Sequence, residues 1–198
     1  MNLDLIVFLG NPGSEYAKNR HNAGRLVADA FDVHLSWTNK FKGLFCSAPL
    51  AAFAPSLPGG AHFLKPETFM NLSGESVRAA AAFYKIPAAH ILVVHDELEL
   101  PLGTAAFKFS GGLGGHNGLR SIKGSLGTAD FWRLRIGIGR PAGGRGEADV
   151  AGWVLSNFSA GEGAVLERVL PVCAAALAQA MVSGPDELLP EWNKKKIV

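Results

Sequence analysis

No stretch of this sequence reaches the roughly 18 consecutive apolar residues of a membrane-spanning helix, so none is expected to cross a bilayer. Cysteine is scarce: Cys46 and Cys173 are far apart in apolar surroundings and read as buried free thiols in a reducing compartment. Nothing requires a disulfide. Neither C-x-x-C nor H-E-x-x-H occurs, so no zinc site is expected. Also missing are the G-x-S-x-G elbow of many serine hydrolases and the G-x-x-x-x-G-K-[ST] phosphate loop. The N-terminal MNLDLIVFLGNPG is acidic and its apolar run is short, which suits a first core strand rather than a signal peptide. GIGRPA (Gly137–Ala142) has dinucleotide-site spacing, but Pro141 and more glycines follow where a helix should start, so it is discounted.

What is present fits one folded domain over residues 1–198, with 48% apolar and 18% charged residues. The net charge of +2 is unevenly spread. Between Pro101 and Arg145 lie Lys108, Arg120, Lys123, Arg133, Arg135, Arg140 and Arg145 against the single acid Asp130, a local +6 that leaves −4 elsewhere. The same segment holds 12 of the 24 glycines. It reads as a site for an anion such as a phosphate backbone, or as a solvated face with flexible turns.

Strand and helix signals alternate along the chain. Leu5–Leu9 is an apolar run closed by Gly10-Asn11-Pro12-Gly13, a strand entering a turn. Leu26, Val27, Ala30 and Phe31 share a helical stripe. LFCSAPLAAFA and AHFLKP flank Pro58-Gly59-Gly60 as a hairpin. Ser73 is placed as an N-cap, with Glu75 in the first turn of a helix whose face is Val77, Ala80, Ala81 and Tyr84 and whose stop is Pro87. ILVV is a buried strand opening into His95-Asp96-Glu97. TAAFKFS and WRLRIGIG are strands on either side of GGLGGHNGLRSIKGSL, a loop and then a helix. Ser159 to Glu162 is a capping box for a long helix that Pro171 should kink or split. The basic tail NKKKIV should fray, within a flexible end of about 15 residues. The order β-α-β-β-α-β-β-α-β-α predicts an α/β domain with a mixed, mostly parallel twisted sheet flanked by helices.

In such sheets, sites collect at the carboxyl ends of strands. Three exits release polar groups: Asn11 with His21 close behind, Met70-Asn71, and His95-Asp96. His116-Asn117 follows the glycine loop at a helix start. At one rim these would gather histidine, one aspartate and three asparagines. A carboxylate fixes the tautomer of a neutral imidazole that takes a proton, and asparagine amides hold a carbonyl or oxyanion without charge. Arg20 should bias His21 toward neutral. With no serine elbow and no cysteine on these loops, water activated by His21 is the simplest nucleophile. Singly, each residue has a plainer reading. A loop histidine is more often a surface or capping residue, Asp96 suits a turn and Asn11-Pro12 is a common turn pair. His95 reads as structural, and His34, His62 and His90 belong to no constellation.

Four motifs in order, GNPGSEYAKNRHNAG, KPETFMNLSGESV, VVHDELELPLGTAAFKFSGGLGGHNGLRSI and FWRLRIGIGRP, resemble the bacterial-type peptidyl-tRNA hydrolases from about residue 5 to 158. The last forty residues match loosely. The resemblance implies a cytoplasmic monomer with no metal or organic cofactor. It also implies hydrolysis of the ester between peptide and tRNA, with the tRNA acceptor end as partner. By position in the motifs it makes His21 the base, Asp96 its orienting partner and Asn11 the residue that places water or stabilises the oxyanion. Asn71 and Asn117 would hold the peptide main chain, Tyr16 and Met70 would line that cleft, and Lys108 and Arg135 would clamp phosphate. Phe8 and Asn19 depart from the pattern, which usually has glycine and threonine there. Phe8 is expected to alter sheet packing near Asn11. Two other readings remain open: an RNA-binding module without catalysis, which need not keep His21, Asp96 and the asparagines, and a nucleotide enzyme, which lacks its lysine and Mg²⁺-binding hydroxyl.

Overall fold

The computed structural model describes residues 2–31, 33–55, 58–141 and 146–198. The apolar run behind the first turn becomes β1 (Leu5–Phe8), buried on both faces at the centre of an eight-stranded sheet. Its neighbours β4 (Gly60–Pro66) and β5 (Ile91–Glu97) pair with it in parallel, and β7 (Trp132–Gly137) continues in parallel beyond β5. Parallel centres are covered on both sides, which is why these strands read as near-continuous apolar runs. Antiparallel strands complete the flanks: β2 (Thr38–Lys40) and β3 (Gly43–Pro49) beside β4, then β6 (Thr104–Phe109) and β8 (Lys195–Lys196) beside β7. The order is β2-β3-β4-β1-β5-β7-β6-β8, with only β3 and β6 opposing the common direction.

Period-two alternation sorts the strand side chains into two cores. On one face Ile6, Phe8, Leu92, Val94 and Leu134 pack with α1 (Ala23–Asp29) and α5 (Ala160–Ser183). On the other, Leu5, Val7, Leu9, Ile91 and Val93 pack with α2 (Ser73–Tyr84) and α3 (Asn117–Leu126). Phe8 is fully buried in the first core, with its ring edge-on to Phe31 at 6.1 Å and stacked on Phe63 at 6.5 Å. It fills an aromatic layer on the face opposite the second core. Both cysteines are buried and free, and burial pushes the Cys173 thiol up to about 12.

Several expectations need correction. Ser73 is the first residue inside α2, not its N-cap. The 3₁₀ turn Met70–Leu72 runs straight into the helix, and the Ser73 hydroxyl donates back to Met70 O at 2.9 Å. Pro171 does not split α5, because the carbonyl it strands belongs to exposed Glu167, where water can take it. α5 is long and apolar enough to cross a bilayer by length and composition alone. It is a core helix, burying Leu166, Val169, Cys173 and Leu177. The tail does not fray: Trp192 packs against Phe107 at 5.6 Å, and Lys195–Lys196 join β6. β2 went unforeseen because its hairpin turn uses Phe41 and Lys42 at positive φ, without the glycine that marks such turns. Also unforeseen were α4 (Glu147–Val154) and α6 (Pro185–Leu188). Ala142 of GIGRPA and Arg145 of the basic segment lie outside the described residues.

Candidate active site

The loop after β1 returns because asparagine closes it. Asn22 Oδ1 accepts from Asn11 N at 2.9 Å, and Asn22 Nδ2 donates to Asn11 O at 3.0 Å. Gly24 then lets α1 press onto the strand ends: a Cβ there would meet Val94 O at 2.4 Å and Leu9 O at 2.7 Å. This approach sets the 3₁₀ turn Arg20–Asn22, with His21 in its middle, against the end of β5.

At that end His21 Nδ1 lies 2.8 Å from Asp96 Oδ1. His116 Nε2 reaches the same oxygen at 3.0 Å. His116 is the N-cap of α3, and its Nδ1 accepts from Gly118 N at 3.1 Å. That bond fixes its tautomer: Nε2 carries the proton and donates to Asp96. The carboxylate also accepts the Nδ1 proton of His21, which leaves His21 Nε2 as the nitrogen able to take one. Burial alone would raise the Asp96 pKa, but the electrostatic attraction and hydrogen bonds of His21 and His116 hold it far below the usual carboxylate range. For His21, burial pulls the pKa down and Asp96 more than restores it, leaving the ring above its ordinary value.

Arg20 does not act as expected on His21. Its guanidinium turns away to Glu162, Ser156 and Asn157. His95, read as structural, is buried at the pocket lining with Nδ1 donating to Asp96 O at 2.7 Å, and burial keeps it neutral.

His21, Asp96 and Asn117 line a pocket of about 420 Å³ together with His116, Arg120 and Val150, Ala151 and Val154 of α4. Asn11, Tyr16, Met70, Asn71, Lys108 and Arg135 are not part of that lining. Asn11 Oδ1 instead accepts from Met70 N at 2.8 Å, which anchors the turn carrying Met70 and exposed Asn71, and that turn packs on α3. Asn117 Oδ1 is engaged by Arg120, so its amide N–H groups are the ones offered. Tyr16 is half-buried on the 3₁₀ turn Ser14–Tyr16.

The basic segment divides. Arg120 and Arg140 reach the pocket, whereas Lys108, Arg133 and Arg135 share one face of β6 and β7. Arg135 Nε donates to Glu97 at 2.9 Å, which uses one of its five N–H donors. Burial and the charges of Arg133 and Arg135 lower the Lys108 pKa. Arg133 is 2% exposed, donates to Gly112 O, and leaves Nε and Nη2 without a partner among the described residues.

The sequence reading missed Asn22 and the α4 residues, counted Arg120 only in the basic segment, and gathered His116 at the rim without giving it a role. His116 was visible only as a helix-start residue, 20 positions from the carboxylate it touches.

The profile of the family described as peptidyl-tRNA hydrolase matches residues 5–198. The chain belongs to this family. It is 46% identical to the peptidyl-tRNA hydrolase of Treponema pallidum (strain Nichols), covering 100% of this chain and 98% of that protein. Against that of Desulfitobacterium hafniense (strain Y51) it is 43% identical, covering 97% and 100%. The crystal structure of peptidyl-tRNA hydrolase from Acinetobacter baumannii superimposes with a TM-score of 0.87 at 35% identity, covering 100% of this chain and 97% of that one. The family match runs through the last forty residues, which the motifs alone had left loosely matched.

Proposed function

We propose that this chain hydrolyses the ester joining a peptide to the terminal ribose of tRNA, with water activated by His21 as nucleophile. The observation that carries the reading is the His21–Asp96 pair at 2.8 Å, with Nε2 as the free base in a pocket that holds no serine, threonine or cysteine among the described residues. Nε2 takes a proton as water attacks the ester carbonyl. Asp96 stabilises the imidazolium, and the same proton passes to the departing ribose oxygen. Asn117 and Asn71 hold the peptide main chain, Met70 and Tyr16 line that cleft, and Asn11 keeps Met70 in place. Lys108 and Arg135 take phosphate at the acceptor end, with Arg133 beneath them. The enzyme works as a cytoplasmic monomer, and its two free thiols suit that compartment.

N-blocked aminoacyl-tRNA should be cleaved and free aminoacyl-tRNA should resist, because the asparagines read a peptide carbonyl the latter lacks. Equal rates in a discharge assay would remove that role. Lys108→Ala should weaken tRNA binding across sequences and lower the slope of log K against log salt by about 0.7–0.9, one phosphate's worth. An unchanged slope would place the phosphate elsewhere.

A further inference from the structure

Arg20 precedes the proposed base, yet its guanidinium serves other elements. Nη2 makes a fork to Glu162 at 2.8 and 2.7 Å, and Nη1 donates to Ser156 Oγ at 2.7 Å and Asn157 O at 2.6 Å. The plane covers the Trp153 ring with Cζ 3.6 Å from its centroid, and Phe158 lies at 5.1 Å. The backbone joins in: Arg20 N donates to Ser156 O at 3.0 Å, and Asn19 bridges Asn157. Arg20 is 4% exposed and its Nε has no partner among the described residues, so the site bears a buried charge and an unmet donor where an apolar side chain would cost less. A planar fork that pairs and stacks at once accounts for arginine here.

What it grips is part of the pocket lining. Trp153 and Val154 end α4, whose Val150, Ala151 and Val154 line the same pocket as His21 and Asp96. The turn Arg20–Asn22 is the main element against which α4 packs. On its other side Trp153 donates Nε1–H to Gly139 O at 2.9 Å, so the ring is fixed by its face and its edge. Glu162 belongs to the capping box of α5, accepting from Ser159 N at 2.7 Å. One guanidinium therefore joins the catalytic turn, the end of α4 and the start of α5.

We propose that Arg20 is a positioning residue that sets the width of the pocket by locking α4 to the turn carrying His21, so that the acyl chain of the substrate meets the wall and the base at a fixed spacing. The proposal rests on the hydrolase reading for its substrate, but the lock itself is a property of the free protein. Two full-length variants test it: Arg20→Lys keeps the charge without the fork or the stack, and Trp153→Leu removes the stack from the other side. In both, backbone amides of residues 150–154 should exchange about tenfold faster than in the wild type, with the protein still folded. KM for N-acyl-aminoacyl-tRNA should rise about tenfold while kcat stays within about threefold and the acid limb of the pH profile stays in place. Trp153→Phe, which keeps a ring face, should recover most of the KM.

Unchanged exchange in α4 would overturn the lock. A lowered melting temperature with wild-type KM would make Arg20 merely structural, and a fallen kcat with a moved pH limb would place its action on the His21 charge; either result overturns the proposal. Should Arg20→Lys not fold, Trp153→Leu decides alone. Wild-type protein that leaves the ester intact would sink the hydrolase reading, and the exchange measurement would still decide the lock.

Discussion

Asp96→Asn is expected to lower kcat about 10²–10⁴-fold, the range in which a positioned base contributes, and to move the acid limb of the pH profile downward. The two effects have one cause. Asp96 holds the His21 pKa up against burial, so without the carboxylate burial dominates and the ring titrates below its ordinary value of about 6.5. In the wild type the base is charged below its raised pKa and neutral above it. Activity therefore climbs with pH along a limb above about 6.5. In the variant more of the ring is neutral at pH 6 and yet the rate is lower, because the amide can leave the wrong tautomer in place. Stability carries opposite signs for the two partners. The raised His21 contributes most below its unfolded pKa, and that contribution is lost as pH rises through the folded value. The depressed Asp96 contributes above its unfolded value, and its share is lost as pH falls toward the folded one. A pH–rate profile of both proteins checks this, and an acid limb left in place by Asp96→Asn would detach the aspartate from the base.

Gly74→Ala is expected to cost about 3 kcal/mol, at the upper end for overpacking, and to raise KM as well. A Cβ at Gly74 would lie 2.1 Å from Ser121 O and 2.5 Å from Ser125 Oγ, and the Gly74 amide donates to Ser121 Oγ at 2.9 Å. The close contact is with backbone and cannot rotate away. α2 must back off from α3, taking Met70-Asn71 away from Asn117. Thermal melting and steady-state kinetics on N-acyl-aminoacyl-tRNA measure the two effects. A stable variant with wild-type KM would mean that the helix spacing does not set the spacing of the asparagines.

Elements that depend on local pattern were legible in the sequence. The apolar run of β1, the period-two strand β7 and the Ser159–Glu162 box all form where residue types alone put them. Elements decided by partners elsewhere in the chain were not. β8 forms where Trp192 packs on Phe107, and the Phe41-Lys42 turn forms without a central glycine where β3, one of its two strands, is held by β4. The same division runs through the site. His21 and Asp96, 75 residues apart, were brought to one rim by the strand-exit rule and given their roles by the family motifs, and their 2.8 Å contact is a product of topology. His116 was placed at the rim without a role because its capping position is local while its bond to Asp96 is not. Arg20 was misread because adjacency in sequence says nothing about where a long side chain points.

The two cores lie on opposite faces of the sheet, and the site is the seam between them. His21 arrives from the layer of α1 and α5, Asn117 and Met70 come from the layer of α2 and α3, and Asp96 stands at the strand end where the layers meet. Neither layer owns the site. A packing defect on either side reaches it as a change in spacing, so turnover can fall while the sheet is still intact. For this protein, catalytic rate is a finer gauge of core repair than the melting temperature.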